Sequence, residues 1–201
     1  HIGIREKAID YLEYNIDKET FLRYIEFIFN MIALLDNEKS VTIQPLTMAA
    51  IENIPIILEK MNYKIEKVDE EKYIITKRNA DVDSVLTKVP QNISRLLLEY
   101  NDFRIQNNIE AKRKILKDID LYIEKHKEIK GQTDNELYNS IGMVVNKMGV
   151  NHPIREEPFK FFKETELMEW YDKCFFMMLH AIRTVDVNKI KNERKELINK
   201  D

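Results

Sequence analysis

Between Ile4 and Ile16 the apolar residues Ile4, Ala8, Ile9, Leu12 and Ile16 return at intervals of mostly three and four, the period that lays one stripe along a helix. The same period runs from Glu19 to Leu35 through Phe21, Leu22, Ile25, Ile28 or Phe29, Ile32 and Leu35. Asp17 or Thr20 is placed to cap this second helix, and Asp36-Asn37 to end it. The two predict a helical hairpin. Ser40 to Leu46 reads as an extended link, because Pro45 disfavours helical dihedrals at Gln44. A third helix is expected from Met48 to Met61, capped by Thr47 and kinked or begun late at Pro55.

The period then changes. Tyr63-Lys64-Ile65-Glu66-Lys67-Val68 alternates apolar and polar, Asp69-Glu70-Glu71 supplies a turn, and Tyr73-Ile74-Ile75-Thr76 resumes. This predicts a β-hairpin whose apolar face must rest on another element, since a lone hairpin is marginal in water. Beyond Pro90 the helical period returns: Ile93–Asn107 with Leu96, Leu97, Tyr100 and Phe103; Ile109–Lys130, ended by Gly131; and Asp134–Met148. After a loop from Gly149 to Pro158, a last long helix from about Glu166 to Val185 carries Leu167, Trp170, Tyr171, Cys174, Phe175, Met178, Leu179 and Ile182. The charged tail from Asn188 to Asp201 reads as a solvated helix or frayed end.

These elements predict a mainly α protein, a helical bundle with one small β-hairpin. Residues 1–90 are expected to form a helical unit with the hairpin, and residues 91–201 a C-terminal bundle. Composition agrees with that reading. Only four glycines and five prolines punctuate 201 residues, too few for a protein of many tight turns. With 44% hydrophobic and 33% charged residues, the chain is too apolar for disorder and too charged for a bilayer. Its apolar stretches fall short of the ~20 residues that span a membrane, and His1-Ile2-Gly3 lacks the pattern of a signal peptide. One cysteine, Cys174, excludes an intramolecular disulfide and a thiol cluster. A cytoplasmic location is the expectation. The net charge of -3 gives no overall attraction to phosphate backbones, so any contact with RNA must use a local patch.

The densest such patch is Lys112, Arg113, Lys114 and Lys117, followed by Lys125, His126, Lys127 and Lys130. Glu110, Asp118, Asp120, Glu124 and Glu128 lie among them, an interleaving that reads first as a solvated helix face and second as a phosphate-binding patch. Downstream, the loop Asn146 to Pro153 places His152 near Lys147 and Arg155. An imidazole can take a 2′-hydroxyl proton while a cation steadies the charge on phosphorus, so these three are the candidate catalytic residues. His180 lies in the apolar last helix, three residues before Arg183, and reads as a residue that faces a groove or is satisfied in the core, the core first. His126, His152 and His180 show no metal-ligand spacing, and no Gly-rich phosphate loop or nucleophile elbow occurs. No metal and no cofactor are expected. Trp170, Tyr171, Phe175, Phe176, Met177 and Met178 cover their helix nearly all round, which reads as core packing and calls for another element or another subunit against the rest, a homodimer or a protein partner.

Three passages from about Gln91 to Asn199 carry a resemblance: Ile109–Ile129 with its lysine-rich start, Asn135–His152, and Glu166–Ile182. Together they resemble the C-terminal helical, HEPN-like domains of bacterial abortive-infection proteins. The resemblance implies a helical domain of a phage-defence system. The ribonucleases of that group use an Arg followed by four to six residues and then a His; here Lys147 stands where the Arg is expected before His152. Lysine keeps the charge and loses the two-pronged grip on phosphate. The implied function is therefore a non-catalytic or weakly catalytic interaction module, with an RNA-cleaving toxin using His152 as acid or base as the alternative.

Overall fold

In the computed structural model, residues 17–37, 45–69, 72–155 and 157–198 are described. The expected Ile4–Ile16 helix, most of the 40–46 link and the centre of the hairpin turn lie outside them. The described part is mainly α with one two-stranded antiparallel hairpin. It divides into two compact units, one reaching Arg78 and taking in Asn101–Gln106, the other formed by Asn79–Tyr100 and the residues from Asn107 onward.

In the first unit, α1 (Lys18–Asn37) begins at Asp17, whose carboxylate accepts from the Thr20 amide at 3.0 Å and the Thr20 hydroxyl at 2.6 Å. Its next element, α2 (Pro45–Lys60), starts at a proline whose missing amide is not needed in a first turn, and runs through Pro55. The late start expected at Pro55 is thus corrected, and Thr47 lies inside the helix. β1 (Tyr63–Lys67) pairs with β2 (Tyr73–Lys77) in the register Tyr63 to Lys77 and Lys67 to Tyr73. Leu22 and Ile25 of α1, Ile54 and Leu58 of α2, Tyr63, Ile75 and Phe103 form one core.

The outer edge of β2 is closed by groups from elsewhere in the chain. Asn30 of α1 accepts from the Tyr73 amide at 2.7 Å and donates to its carbonyl at 3.0 Å. Glu26 accepts from the Ile75 amide at 3.2 Å, and the Asn101 carbonyl accepts from Lys77 at 2.8 Å. An edge so occupied cannot recruit another strand. The same contacts correct the expected Ile93–Asn107 helix: it stops at Tyr100, because Asn101 and Asp102 are drawn to the hairpin. There Asp102 caps a short 3-10 turn, Phe103–Ile105, by accepting from the Arg104 amide at 2.9 Å.

The second unit contains α3 (Ala80–Asp83), α4 (Gln91–Tyr100), α5 (Ile109–Lys125), α6 (Lys127–Gln132), α7 (Asn135–Lys147) and α8 (Glu164–Ile198). Val82 and Val85 are buried and α3 packs on α8, so the chain changes units at Arg78 rather than near Pro90. The expected Ile109–Lys130 helix breaks at His126, which leaves helical dihedrals at φ -97 and ψ 91. Gly131 does not end it; the following short helix closes at Thr133, whose hydroxyl donates to the Ile129 carbonyl at 2.6 Å. The last helix continues through the charged tail to Ile198.

Helix α8 is the centre of this unit and packs on α5, α6 and α7. Its residues Tyr171, Cys174, Phe175, Met178, Leu179 and Ile182 are buried with Leu116, Ile119 and Ile123 of α5 and Ile141, Val144 and Val145 of α7. The bundle itself thus covers most of the apolar run on α8, and Phe176 is left exposed. No helix among the described residues is long and apolar enough to cross a membrane.

Candidate binding groove around His152

Residues Met148–Asn151, which carry His152, are tied to three helices. The Met148 amide closes α7 on the Val144 carbonyl at 3.0 Å, and the buried Tyr171 hydroxyl of α8 donates to the Met148 carbonyl at 2.9 Å. Gly149 follows with φ at 92°, a left-handed conformation open to glycine. A Cβ there would come within 3.1 Å of Ile154 and 3.3 Å of the Arg113 guanidinium, so the site is closed to side chains sterically as well as conformationally. Arg113 of α5 donates through Nε to the Gly149 carbonyl. Asn151 donates its amide to the Val145 carbonyl at 2.9 Å and its side-chain Nδ2 to Asp120 at 3.2 Å.

Asp120 sits on the buried side of α5. Burial raises its carboxyl pKa, the Asn151 hydrogen bond pulls it back, and the charge of Glu124 raises it further. Burial likewise raises the Tyr171 phenol, against the opposing charge of Arg113. Both groups therefore hold the loop, Tyr171 as a protonated donor and Asp120 as an acceptor. His152 and Pro153 follow this anchored turn and are exposed.

The anchoring brings the two candidate clusters together. Arg113, Lys114 and Lys117 of α5 line one hollow of about 370 Å³ with Glu110, Gly149, Val150, Asn151, His152 and Pro153. Asn146, Lys147 and Arg155 line a second, of about 270 Å³, with the same His152 and Pro153. His152 and Pro153 are thus the common wall of two open hollows. Five cations line them, and Glu110 is the acid among the lining residues. Two of the five have partners in place: Arg113 also holds Glu110 at 3.2 Å, and Lys147 is engaged within the fold.

Lys112 does not join the groove. Expected on a solvated face, it is buried, with 5% of its surface exposed. Its ammonium donates to Asp172 at 2.7 Å, the Tyr100 hydroxyl donates to the same oxygen at 2.9 Å, and Tyr100 stacks on Phe175 with centroids 3.9 Å apart. Lys112 therefore ties α5 to α4 and α8. The long lysine stem suits this position, because it lies along apolar surface while its tip reaches a carboxylate at the rim.

His180 takes the second of its two expected places: it is exposed, in a small hollow with Asp81, Phe176, Leu179 and Arg183, and not in the core. That hollow shares no residue with the groove. His126 is occupied, its Nδ1 lying 2.8 Å from the Tyr122 carbonyl. No group of three or more potential metal ligands occurs among the described residues. The buried Cys174 thiol is pushed far above its ordinary pKa, first by burial and then by the charge of Asp120, and is an inert core residue. The anchors Tyr171, Asp120 and Gly149 were not visible as site residues in the sequence. Gly149 alone carried a signal, as a glycine in the Gly-Val-Asn-His-Pro loop.

No family model, no curated protein and no solved structure matches the chain.

Proposed function

We propose that this chain is a non-catalytic or weakly catalytic interaction module of a bacterial defence system of the abortive-infection type, whose His152 groove engages RNA. The observation that carries the reading is the anchored loop that sets His152 between Arg113, Lys114 and Lys117 on one side and Lys147 and Arg155 on the other. Cations lining an open groove attract a phosphate backbone by releasing its counterions. Binding is favoured over cleavage because Lys147 stands before His152 where the resembled ribonucleases place an Arg, and a lysine lacks the two-pronged grip on phosphate. Cytoplasmic location and self-association belong to the same proposal.

The ribonuclease reading has one observation in its favour, the hollow that His152 shares with Lys147 and Arg155. A labelled single-stranded RNA separates the two. Fluorescence anisotropy should show binding that weakens at least tenfold in Lys114→Glu/Lys117→Glu, while a denaturing gel shows the RNA intact. Cleavage that disappears in His152→Ala would replace the binding module with the enzyme. Affinity unchanged by the charge reversals would remove the groove from both.

A further inference from the structure

Between the groove and α8 the chain interleaves rings and cations, Phe159-Lys160-Phe161-Phe162-Lys163. Phe159 to Phe161 make one 3-10 turn, in which the Phe161 amide donates to the Pro158 carbonyl at 3.1 Å and the Phe162 amide to the Phe159 carbonyl at 3.2 Å. Three residues per turn put Phe159 and Phe162 on one side, where their rings meet edge to face with centroids 5.7 Å apart. Phe161 is turned away from that pair and is 72% exposed, more than any other large apolar side chain among the described residues. The far end is fixed as well, because the Lys163 amide donates to Glu166 of α8 at 2.7 Å. The turn that holds this ring in water is thus bonded at both ends.

We infer that Phe161 is a stacking platform for an unpaired base of the RNA whose phosphates lie in the His152 groove, so that the molecule engages single strands. The inference rests on the RNA reading of that groove and names the form of RNA it takes.

The composition of the patch selects the ligand. A nucleotide offers a flat apolar face together with a phosphate, and the patch suits both, with the Phe161 ring between the exposed Lys160 and Lys163. A purely apolar partner would bury those two cations without a counter-charge. A lipid surface is flat and meets the charges of the segment together. Arg155, Lys160 and Lys163 are matched there by Glu157, Glu164 and Glu166, all exposed, which leaves no net attraction to anionic headgroups. A single strand is narrow enough to follow the cations alone. The groove is also within reach, since Arg155, which lines one of its hollows, stands six residues from Phe161, at most about 22 Å of extended chain. In a duplex each base is already stacked between its neighbours, so only an unpaired one can cover the ring.

Fluorescence anisotropy on the full chain tests this, with one labelled RNA presented as a single strand and annealed to its complement. Phe161→Ala should weaken single-strand binding about tenfold or more and leave duplex binding within about twofold of the parent. Its salt dependence should match the parent's, because no phosphate contact is removed; reversing the groove cations changes that dependence, which separates the two roles. Phe161→Tyr keeps a ring and should bind as the parent does. Single-strand affinity unchanged in Phe161→Ala, or lost equally for strand and duplex, would overturn the inference and leave the groove standing. Adhesion to anionic vesicles that vanishes in Phe161→Ala while RNA affinity is unchanged would give the ring to a lipid surface instead. A parent that binds no RNA would remove both readings.

Discussion

Asp120 shows how single residues hold the groove. Its carboxylate accepts from Asn151 at 3.2 Å from the buried side of α5, and burial, partly offset by that bond, raises its pKa. A carboxyl with a higher pKa folded than unfolded binds more protons in the folded state between the two values. Stability from this group is therefore greatest at acid pH and is lost as pH rises through the folded value. Asp120→Asn keeps an oxygen for Asn151 and removes the charge. We expect its melting temperature to exceed that of the parent near pH 7 and to converge on it near pH 4. A variant less stable than the parent at neutral pH would show that the carboxylate charge itself supports the fold. Lys112 is the contrasting residue, a buried cation that is paired from the start by Asp172 and roofed by Tyr100.

At the scale of elements, β2 owes its placement to α1. Asn30 satisfies both outward groups of Tyr73 and stands 43 residues away in the chain. Asn30→Ala leaves a part-buried amide and carbonyl without their partner, at a cost of about 1–3 kcal/mol. Equilibrium urea unfolding followed by circular dichroism should show that loss; a change under about 0.5 kcal/mol would mean water replaces the side chain.

The hairpin itself was legible, because alternation over Tyr63–Val68, a polar turn and the β-branched run Tyr73–Thr76 have one local explanation. Its edge was not, since Glu26 and Asn30 are four apart on a helix and read as surface. Helix ends failed for the same reason. Leu96 to Phe103 keeps a helical period, and only the long-range bonds of Asn101 and Asp102 to the hairpin stop the helix at Tyr100. Asp102 and Arg104 belong to a network with Glu26 in which burial raises the Glu26 pKa and Arg104 opposes it.

At the scale of the molecule, the site was half legible. Residue types pointed to Arg113, Lys114 and Lys117 and, separately, to Lys147, His152 and Arg155. Their meeting depends on the turn at Gly149 and on Tyr171 reaching back 23 residues to the Met148 carbonyl, neither of which has a periodic signature. Lys112 was misplaced because interleaved charge looks solvated on either face of a helix, and only packing distinguishes the faces.

The anchored loop makes one cationic groove from two distant clusters. The salt dependence of RNA binding tests it most directly, since each phosphate neutralised on a single strand contributes about -0.7 to the slope of log affinity against log salt. Contacts from three to five groove cations predict a slope of about -2 to -3.5. Lys114→Glu/Lys117→Glu, and separately Arg155→Glu, should each make it shallower, the double variant by about 1.4 or more. A slope near zero, or one that responds to only one of the two clusters, would contradict the account.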